Sequence, residues 1–305
     1  MTLKKPTQNI LRGDYLHTFP DRIEEERLKL LNDAYGPNSL KMCLPYIQQD
    51  SSILELGSGT GEMTKLFCKE LLSKGLYIGV DKDPIQIEKA KENASLKSIK
   101  PNTLTPKMHF IESNVLDLNS CENFKRVKPS EGFNLIYCRW LLCHILDEER
   151  IHLIQEISKL LAIDGVFICE EPHAESMTLI ENNIPKKCAA VDRWLEMLNP
   201  LQENLGINLY FGKNTMTSEF RKAFDYLNNS FFFDILGEYA AELVGNQKMS
   251  LVHGLQTAKK ALLQMANISE HELEDLIEEF KAIAENSQMK IRFYKNTFGM
   301  IKRIL

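Results

Sequence analysis

The chain is expected to be an α/β protein organised on a doubly wound parallel sheet, and three features of its sequence predict this. From residue 52 onward, short apolar runs alternate with helical stretches, the arrangement that a parallel sheet with crossover helices requires. One of those runs, Ile53 to Leu56, leads directly into Gly57, Gly59 and Gly61 ahead of a helical segment. The next, Leu76 to Val80, ends on Asp81, twenty residues after Gly61, and in open sheets of this kind the carboxyl ends of the strands face the ligand crevice.

Residues 21–35 carry Ile23, Leu28, Leu31 and Tyr35 at near-helical spacing, and Gly36-Pro37 reads as the stop of that helix. A strand is expected at 52–56, a helix over about 61–73, a strand at 76–80 and a helix over about 84–97. MHFIES (108–113), FNLIYC (133–138) and GVFICEE (165–171) complete five strands; a helix over about 148–162 precedes the last, which the turn Asp164-Gly165 opens. Beyond Pro172 the character changes to a helical insertion near 186–204, with Trp194, Leu195 and Leu198 on one face. A helix over 217–228, a strand over 230–239 and helices near 247–265 and 269–286 follow, and the residues from Lys290 alternate as a final strand. Ser269-x-x-Glu272 has the spacing of a capping box. The expected organisation is an N-terminal helical segment (1–45), a ligand-binding core (46–172), a helical insertion serving as a lid (173–216), and the remaining strands (217–305) with a helical pair at about 247–286. No internal repeat or low-complexity tract interrupts it.

At 305 residues the chain is long enough for about two ordinary domains or one elaborated one. Its 44% hydrophobic and 26% charged residues are those of a soluble globular protein. A formal net charge of -5 argues against a protein built to hold nucleic-acid phosphates. No run approaches the ~20 apolar residues that span a bilayer, and the opening MTLKKPTQNILRGDYL lacks an apolar core after its lysines. The expected location is therefore cytoplasmic, with no membrane partner. The seven cysteines form no C-x-x-C pair and read as reduced, mostly buried thiols. Cys138, Cys143 and His144 are close enough in sequence to suggest a metal, but burial explains the two thiols without one, and no metal site is expected.

The glycine turn carries the functional information. Dinucleotide-binding turns space their glycines G-x-G-x-x-G, whereas here they alternate and Glu62 occupies the third fingerprint position. Glycines at such a turn accept positive φ and let a ligand approach without a Cβ in the way. Glu55 lies two residues before the first glycine, and a pyrophosphate beside it in a poorly hydrated site would meet a repulsion of several kcal/mol. A cation would not. Asp81 is placed to accept hydrogen bonds from ribose hydroxyls. An acid-flanked glycine turn with a ribose-binding acid fits a nucleoside bearing positive charge, and S-adenosylmethionine meets that description.

These residues give the chain a resemblance to the class I S-adenosylmethionine-dependent methyltransferases, of the bacterial small-molecule type with helical lid additions. The first motif of that family, acid-x-G-x-G-x-G, matches Glu55 to Gly61, and its second-strand acid matches Asp81 in GVDKDP, with Lys82 beside it. The third motif corresponds to Phe110 to Val115, with Asn114 where an aspartate normally stands, and FNLIYCRWLLCHIL resembles the fourth-strand motif, with Asn134 replacing the usual aspartate. The matches run over about residues 50–172. The resemblance implies a Rossmann-like seven-stranded sheet whose last strand is antiparallel. It also implies a cofactor site made of Glu55, Gly57, Ser58, Gly59, Asp81, Lys82, Asn114, Val115, Cys138 and Arg139, with Tyr15 and Arg27 closing over the cofactor from the front segment.

In that reading Glu55 holds the methionine amino group, Asp81 the ribose, Asn114 and Val115 the adenine, and Arg27 the carboxylate. Glu170 and His173, after the fifth strand, and His144, after the fourth, are the candidate catalytic bases toward an acceptor. Trp194, Phe211 and Phe231 to Phe233 are candidates for an apolar acceptor pocket. The expected reaction is in-line transfer of the sulfonium methyl to an oxygen, nitrogen or carbon of a small molecule, leaving S-adenosylhomocysteine. A cofactor-binding protein of the same fold without turnover is the alternative, and a nicotinamide-dependent oxidoreductase is disfavoured by the glycine spacing. The sequence does not set the oligomeric state; a homodimer is one arrangement compatible with it.

Overall fold

The structure, a computed structural model, describes residues 22–71, 74–95, 106–224 and 230–304. Helix α1 (Arg22–Cys43) leads into strand β1 (Ser52–Leu56), helix α2 (Glu62–Glu70), β2 (Leu76–Asp81), α3 (Pro84–Ser95), β3 (Lys107–Glu112), the short α4 (Glu122–Val127), β4 (Phe133–Arg139), α5 (Asp147–Lys159) and β5 (Leu161–His173). There follow β6 (Thr178–Glu181), β7 (Ile184–Lys186), α6 (Ala189–Leu205), α7 (Lys213–Phe224), β8 (Phe231–Leu243), α8 (Met249–Thr257), α9 (Lys259–Met265), α10 (Glu270–Glu285) and β9 (Met289–Arg303).

Strands β3-β2-β1-β4-β5 are mutually parallel in that order, β9 runs antiparallel to β5, and β8 pairs antiparallel with the far side of β9. Those seven strands form the doubly wound sheet with an antiparallel strand entering late. The order reverses between β1 and β4, and such a reversal opens a crevice at the carboxyl ends of the strands. β1 is buried along its whole length, as a central parallel strand covered on both faces must be. Ile53 packs with Phe67, Tyr77 and Tyr137 on the face covered by α2. Leu54 and Leu56 pack on the other, with Ile154 and Ile157 of α5 and Phe220 of α7. A third apolar cluster joins α6, α8, α9 and α10 to α1 and β9 above the crevice.

Three sequence expectations need correction. The sheet has nine strands among the described residues, because β6 and β7 form a hairpin that extends it along β9. Its two-residue turn is Asn182-Asn183, both at positive φ, the conformation such a turn demands and asparagine tolerates. The segment 173–216 is therefore part sheet and part helix. Helix α1 also runs straight through Gly36-Pro37 instead of stopping there. A Cβ on Gly36 would sit 2.8 Å from Asn32 Oδ1 and 2.9 Å from Leu66 Cδ1, so this glycine serves the close approach of α1 to α2. The Tyr35 hydroxyl donates to the Tyr294 carbonyl at 2.6 Å and the Ser39 hydroxyl to Glu170 Oε2 at 2.6 Å, so contacts on both sides of Pro37 hold the helix together. Lastly, the helix expected near 247–265 is broken at Ala258 into α8 and α9.

The capping box is present in both directions: Ser269 N donates to Glu272 Oε2 at 2.8 Å, and Glu272 N to Ser269 Oγ at 3.2 Å. At the other end of α10, the buried Lys248 ammonium donates to the carbonyls of Ile283 (2.7 Å) and Asn286 (2.5 Å). A cation there satisfies carbonyls that the helix leaves without partners. These two ends fix α10 as a brace behind α6 and α8.

Candidate active site

β1 leaves the sheet at Gly57, and the chain turns through Ser58, Gly59, Thr60 and Gly61 before α2 begins. Gly57, Gly59 and Gly61 all lie in the left-handed region, at φ 68°, 53° and 77°. At Gly59 an added Cβ would also lie 2.9 Å from the Gln86 side chain. Two bonds tie the turn to β2: Ser58 N donates to the Val80 carbonyl, and Gly59 N donates to Asp81 Oδ2, both at 2.9 Å. The other carboxylate oxygen of Asp81 accepts from Asp83 N at 3.0 Å. Burial raises the Asp81 carboxyl above its ordinary value, partly offset by those N–H donors.

Glu55 lies just below the turn and accepts a short hydrogen bond from the Tyr77 hydroxyl, which is also paired with Thr64 Oγ1 at 2.7 Å. Burial pushes the Glu55 carboxyl up to about 7; the Tyr77 bond and the Arg139 cation pull the other way. A carboxylate this desolvated and only partly compensated is primed for a cation. The Ser58 hydroxyl is buried and has no hydrogen-bond partner among the described residues. Buried polar atoms in native folds are nearly always satisfied, so an orphan on a left-handed glycine turn marks a place for a bound group.

The loop after β4 has its own anchor. Glu171, fully buried, accepts three successive main-chain N–H bonds, from Leu141 (3.1 Å) and Leu142 (2.8 Å) to Oε1 and from Cys143 (3.0 Å) to Oε2. Burial pushes its carboxyl to about 7 against the pull of those donors. Trp140, at φ 53°, starts this loop and donates from Nε1 to Asn296 Oδ1 at 2.9 Å. Adjacent residues of a strand face opposite ways. Glu170 therefore lies on the other face, accepting from Ser39 and Tyr137 (2.6 Å each) and from Asn296.

A cavity of about 930 Å³ opens over the turn. Its walls include Glu55, Gly57, Ser58, Gly59, Asp81 and Lys82 from β1 and β2 and the turns after them, together with Asn114 and Val115 from the turn after β3. Arg27, Arg139 and His144 also line it. The Asn114 side chain accepts from Leu116 N at 3.1 Å. Arg139 donates from Nη2 to Asn32 Oδ1 at 2.9 Å. Arg27 reaches the wall, but its guanidinium fork grips the carboxylate of Glu24 on its own helix through two bonds of 2.7 Å, and not, as this structure stands, the carboxylate of a cofactor. His144 is solvent-exposed and lines the cavity. Partial desolvation by the surrounding chain, with Lys82 and Arg27 nearby, pushes its imidazole down to about 4. The access softens the desolvation, and the ring is neutral around pH 7.

Other expected site residues lie elsewhere. Cys138 is fully buried with its thiol 3.9 Å from Glu171 and does not line the cavity. Glu170 is enclosed by its three donors, away from the cavity wall. His173 packs against Tyr210 and approaches Glu175 at 3.6 Å, also off the cavity. Cys138, expected at the cofactor, and Glu170 and His173, expected at the acceptor, are thus not among the residues that line the cavity. Phe211 lies in the core under the Arg150 guanidinium, and Phe233 packs on Phe220. Of the aromatic residues named for an acceptor pocket, Trp194 lines the cavity. Tyr15 lies outside the described residues. Sequence reasoning did not find the anchoring role of Glu171 or the lining by Tyr35 and Tyr294. A pair of adjacent acids inside an apolar strand was the available signal for the first, and none marked the two tyrosines.

A family model described as a methyltransferase domain matches residues 47–226, more than half of the 305 residues. The chain belongs to the class I S-adenosylmethionine-dependent methyltransferases. Among curated proteins, the chain is similar to the ribosomal protein L11 methyltransferases of Clostridium botulinum strains Eklund 17B and Alaska E43, each 32% identical over 82 residues. That stretch is 26% of this chain and 24% of those proteins, so the chain spans about a quarter of the length of the curated relatives it matches. Among solved structures, the YcgJ protein of Bacillus subtilis is 17% identical, the match covering 87% of this chain and 97% of that one, with a TM-score of 0.51, which shows a shared fold. The cyclopropane synthase MmaA2 of Mycobacterium tuberculosis is 13% identical, covering 87% of this chain and 84% of its own, with a TM-score of 0.49.

The site fits the cofactor of this methyltransferase family. An acid beneath the turn, an acid at the end of β2, an orphaned hydroxyl between them and left-handed glycines that leave the backbone open suit a cationic nucleoside.

Proposed function

We propose that this methyltransferase moves the methyl group of S-adenosylmethionine to a small molecule by in-line displacement. The observation that carries the reading is one cavity that joins the glycine turn to a chamber roofed by α6, α8 and α9. When bound, the cofactor supplies an electrophilic methyl whose bond to sulfur breaks as the bond to the acceptor forms, the electron pair returning to sulfur. Gly57 and Gly59 admit it, Glu55 holds its ammonium, Asp81 its ribose and Asn114 with Val115 its adenine. Such positioning and exclusion of water contribute roughly 7 to 11 kcal/mol to reactions of this type. The neutral His144 accepts the proton of a hydroxyl acceptor. The helical roof covers the site as a lid, with α10 as its brace. Acceptors other than nucleic acid and a cytoplasmic location complete the proposal. Among the described residues no helix is long and apolar enough to cross a membrane.

Cofactor with a labelled methyl, incubated with the protein and fractionated metabolite pools, is expected to label an extractable small molecule. Label confined to macromolecules contradicts the reading. His144→Asn is expected to slow turnover about 10²-fold or more on a hydroxyl acceptor while leaving cofactor affinity unchanged; unchanged turnover on that acceptor removes the base.

A pH dependence arises from Glu55. Its carboxyl is held near 7 in the folded protein against an ordinary 4.5, so below pH 7 an incoming ammonium must displace a proton. Calorimetric affinity for S-adenosylhomocysteine is expected to rise between pH 5.5 and 7, by at most about tenfold per unit, and to flatten above. In Glu55→Gln the profile is flat; a wild-type profile that is flat or falls over this window contradicts the assignment.

A further inference from the structure

The cavity is chemically divided. Glu55, Asp81, Lys82 and Asp83 come from β1, β2 and the turns after them, Glu62 from the start of α2, Arg27 from α1, Arg139 from the end of β4 and Glu149 from the start of α5. The wall contributed by α6, the loop after it, α8, α9 and β9 carries no charged side chain; Leu198, Leu201, Leu205, Leu251 and Leu262 are typical of it. With a cofactor of drug size seated over the turn, a cavity of about 930 Å³ still leaves room for a second molecule.

Two hydroxyls interrupt this apolar wall. Trp194 Nε1 donates to the Tyr294 hydroxyl at 2.6 Å, and the proton of that hydroxyl has no acceptor among the described residues. Burial raises Tyr294 well above the ordinary tyrosine value, so the proton stays on and is available to a ligand oxygen. Ser250, also of the lining, has a buried Oγ with no hydrogen-bond partner among the described residues. A charged acceptor would be desolvated here with no counter-charge in that wall among the described residues, whereas a neutral oxygen can be met by a hydroxyl.

Resting on the methyl-transfer reading, we propose that the acceptor is an uncharged, hydrocarbon-rich molecule carrying one or two neutral oxygen functions, a hydroxyl or carbonyl, seated with its apolar body under α6, α8 and α9. The bond made at transfer then joins the methyl carbon to an acceptor hydroxyl oxygen, and the proton leaves that oxygen for His144.

The test is calorimetric titration of the full chain with 1-hexanol, 1-octanol and 1-decanol, and with decanoate and decylamine, in the presence and absence of S-adenosylhomocysteine. Each added methylene is expected to tighten alkanol binding about three- to fourfold, and at pH 7 decanol binds at least tenfold more tightly than either charged analogue. Leu201→Phe, an apolar change that narrows the chamber, weakens decanol more than hexanol, and Ser250→Ala weakens all three alkanols alike; melting curves establish that both variants are folded. A charged analogue binding as well as decanol, or alkanol affinity that ignores chain length, overturns the inference. S-adenosylhomocysteine binding without any alkanol binding also overturns it, and leaves the cofactor reading standing. Graded alkanol binding without S-adenosylhomocysteine binding supports the chamber assignment and removes the cofactor reading.

Discussion

Alanine in place of Glu171 is expected to lower the stability of the fold by roughly 3 kcal/mol or more, because three buried N–H donors lose their acceptor at once and each such loss costs about 1 to 3 kcal/mol. Relief of a desolvated carboxylate offsets part of this. The donors belong to Leu141, Leu142 and Cys143, so the damage falls on the loop that presents Trp140, Leu141 and His144 to the cavity. Glutamine retains one oxygen for Leu141 and Leu142 but turns an NH₂ toward the Cys143 N–H, and is expected to cost about 1 to 2 kcal/mol. Denaturant midpoints measure both. An alanine variant as stable as the parent would show that the loop holds itself. The sign of the pH effect is also fixed. The Glu171 carboxyl sits near 7 folded against an ordinary 4.5, so the folded state binds the extra proton and its contribution to stability falls as pH rises from about 4.5 to 7. That slope is reduced in Glu171→Gln.

Asp81→Ala is expected to weaken cofactor binding by about 1.5 to 3 kcal/mol, roughly ten- to a hundredfold, through loss of charge-assisted hydrogen bonds to the ribose. The same carboxylate braces Gly59 N and Asp83 N, so a smaller loss arises from the turn itself. Asp81→Asn separates the two, keeping the bulk and one acceptor while removing the charge. Titration calorimetry with S-adenosylhomocysteine reads the difference, and parent-like affinity in the alanine variant would remove Asp81 from the ribose.

The core of the fold was legible because its signals are local. Strands β1 to β5 announce themselves as apolar runs between helical ones, and Gly57, Gly59 and Gly61 mark a turn whose positive φ values only glycine adopts without strain. Gly36-Pro37 misled because a helix stop is a local rule, and bonds from Tyr35 and Ser39 to distant β9 and β5 override it. The β6–β7 hairpin was missed for the opposite reason: three- and four-residue strands have too little periodicity to register. Within the site, residues that answer to a turn or strand end, such as Glu55, Asp81 and Arg139, were found in the cavity wall. Glu170 and His173 shared that position in sequence. Placement at a strand end does not say which face a side chain takes, and here Glu170 turned into a buried network with Ser39, Tyr137 and Asn296. The roof residues Tyr294 and Ser250 become neighbours of the turn only through packing of segments more than a hundred and fifty positions away.

Everything about function depends on what the glycine turn admits. Calorimetric titration of the unmodified protein with S-adenosylmethionine and, separately, with NADH decides this most directly. One saturable site for the sulfonium nucleoside and no heat beyond dilution for NADH is the expected result. Binding of NADH with no response to S-adenosylmethionine would mean that Glu55, Asp81 and the left-handed glycines serve a different ligand.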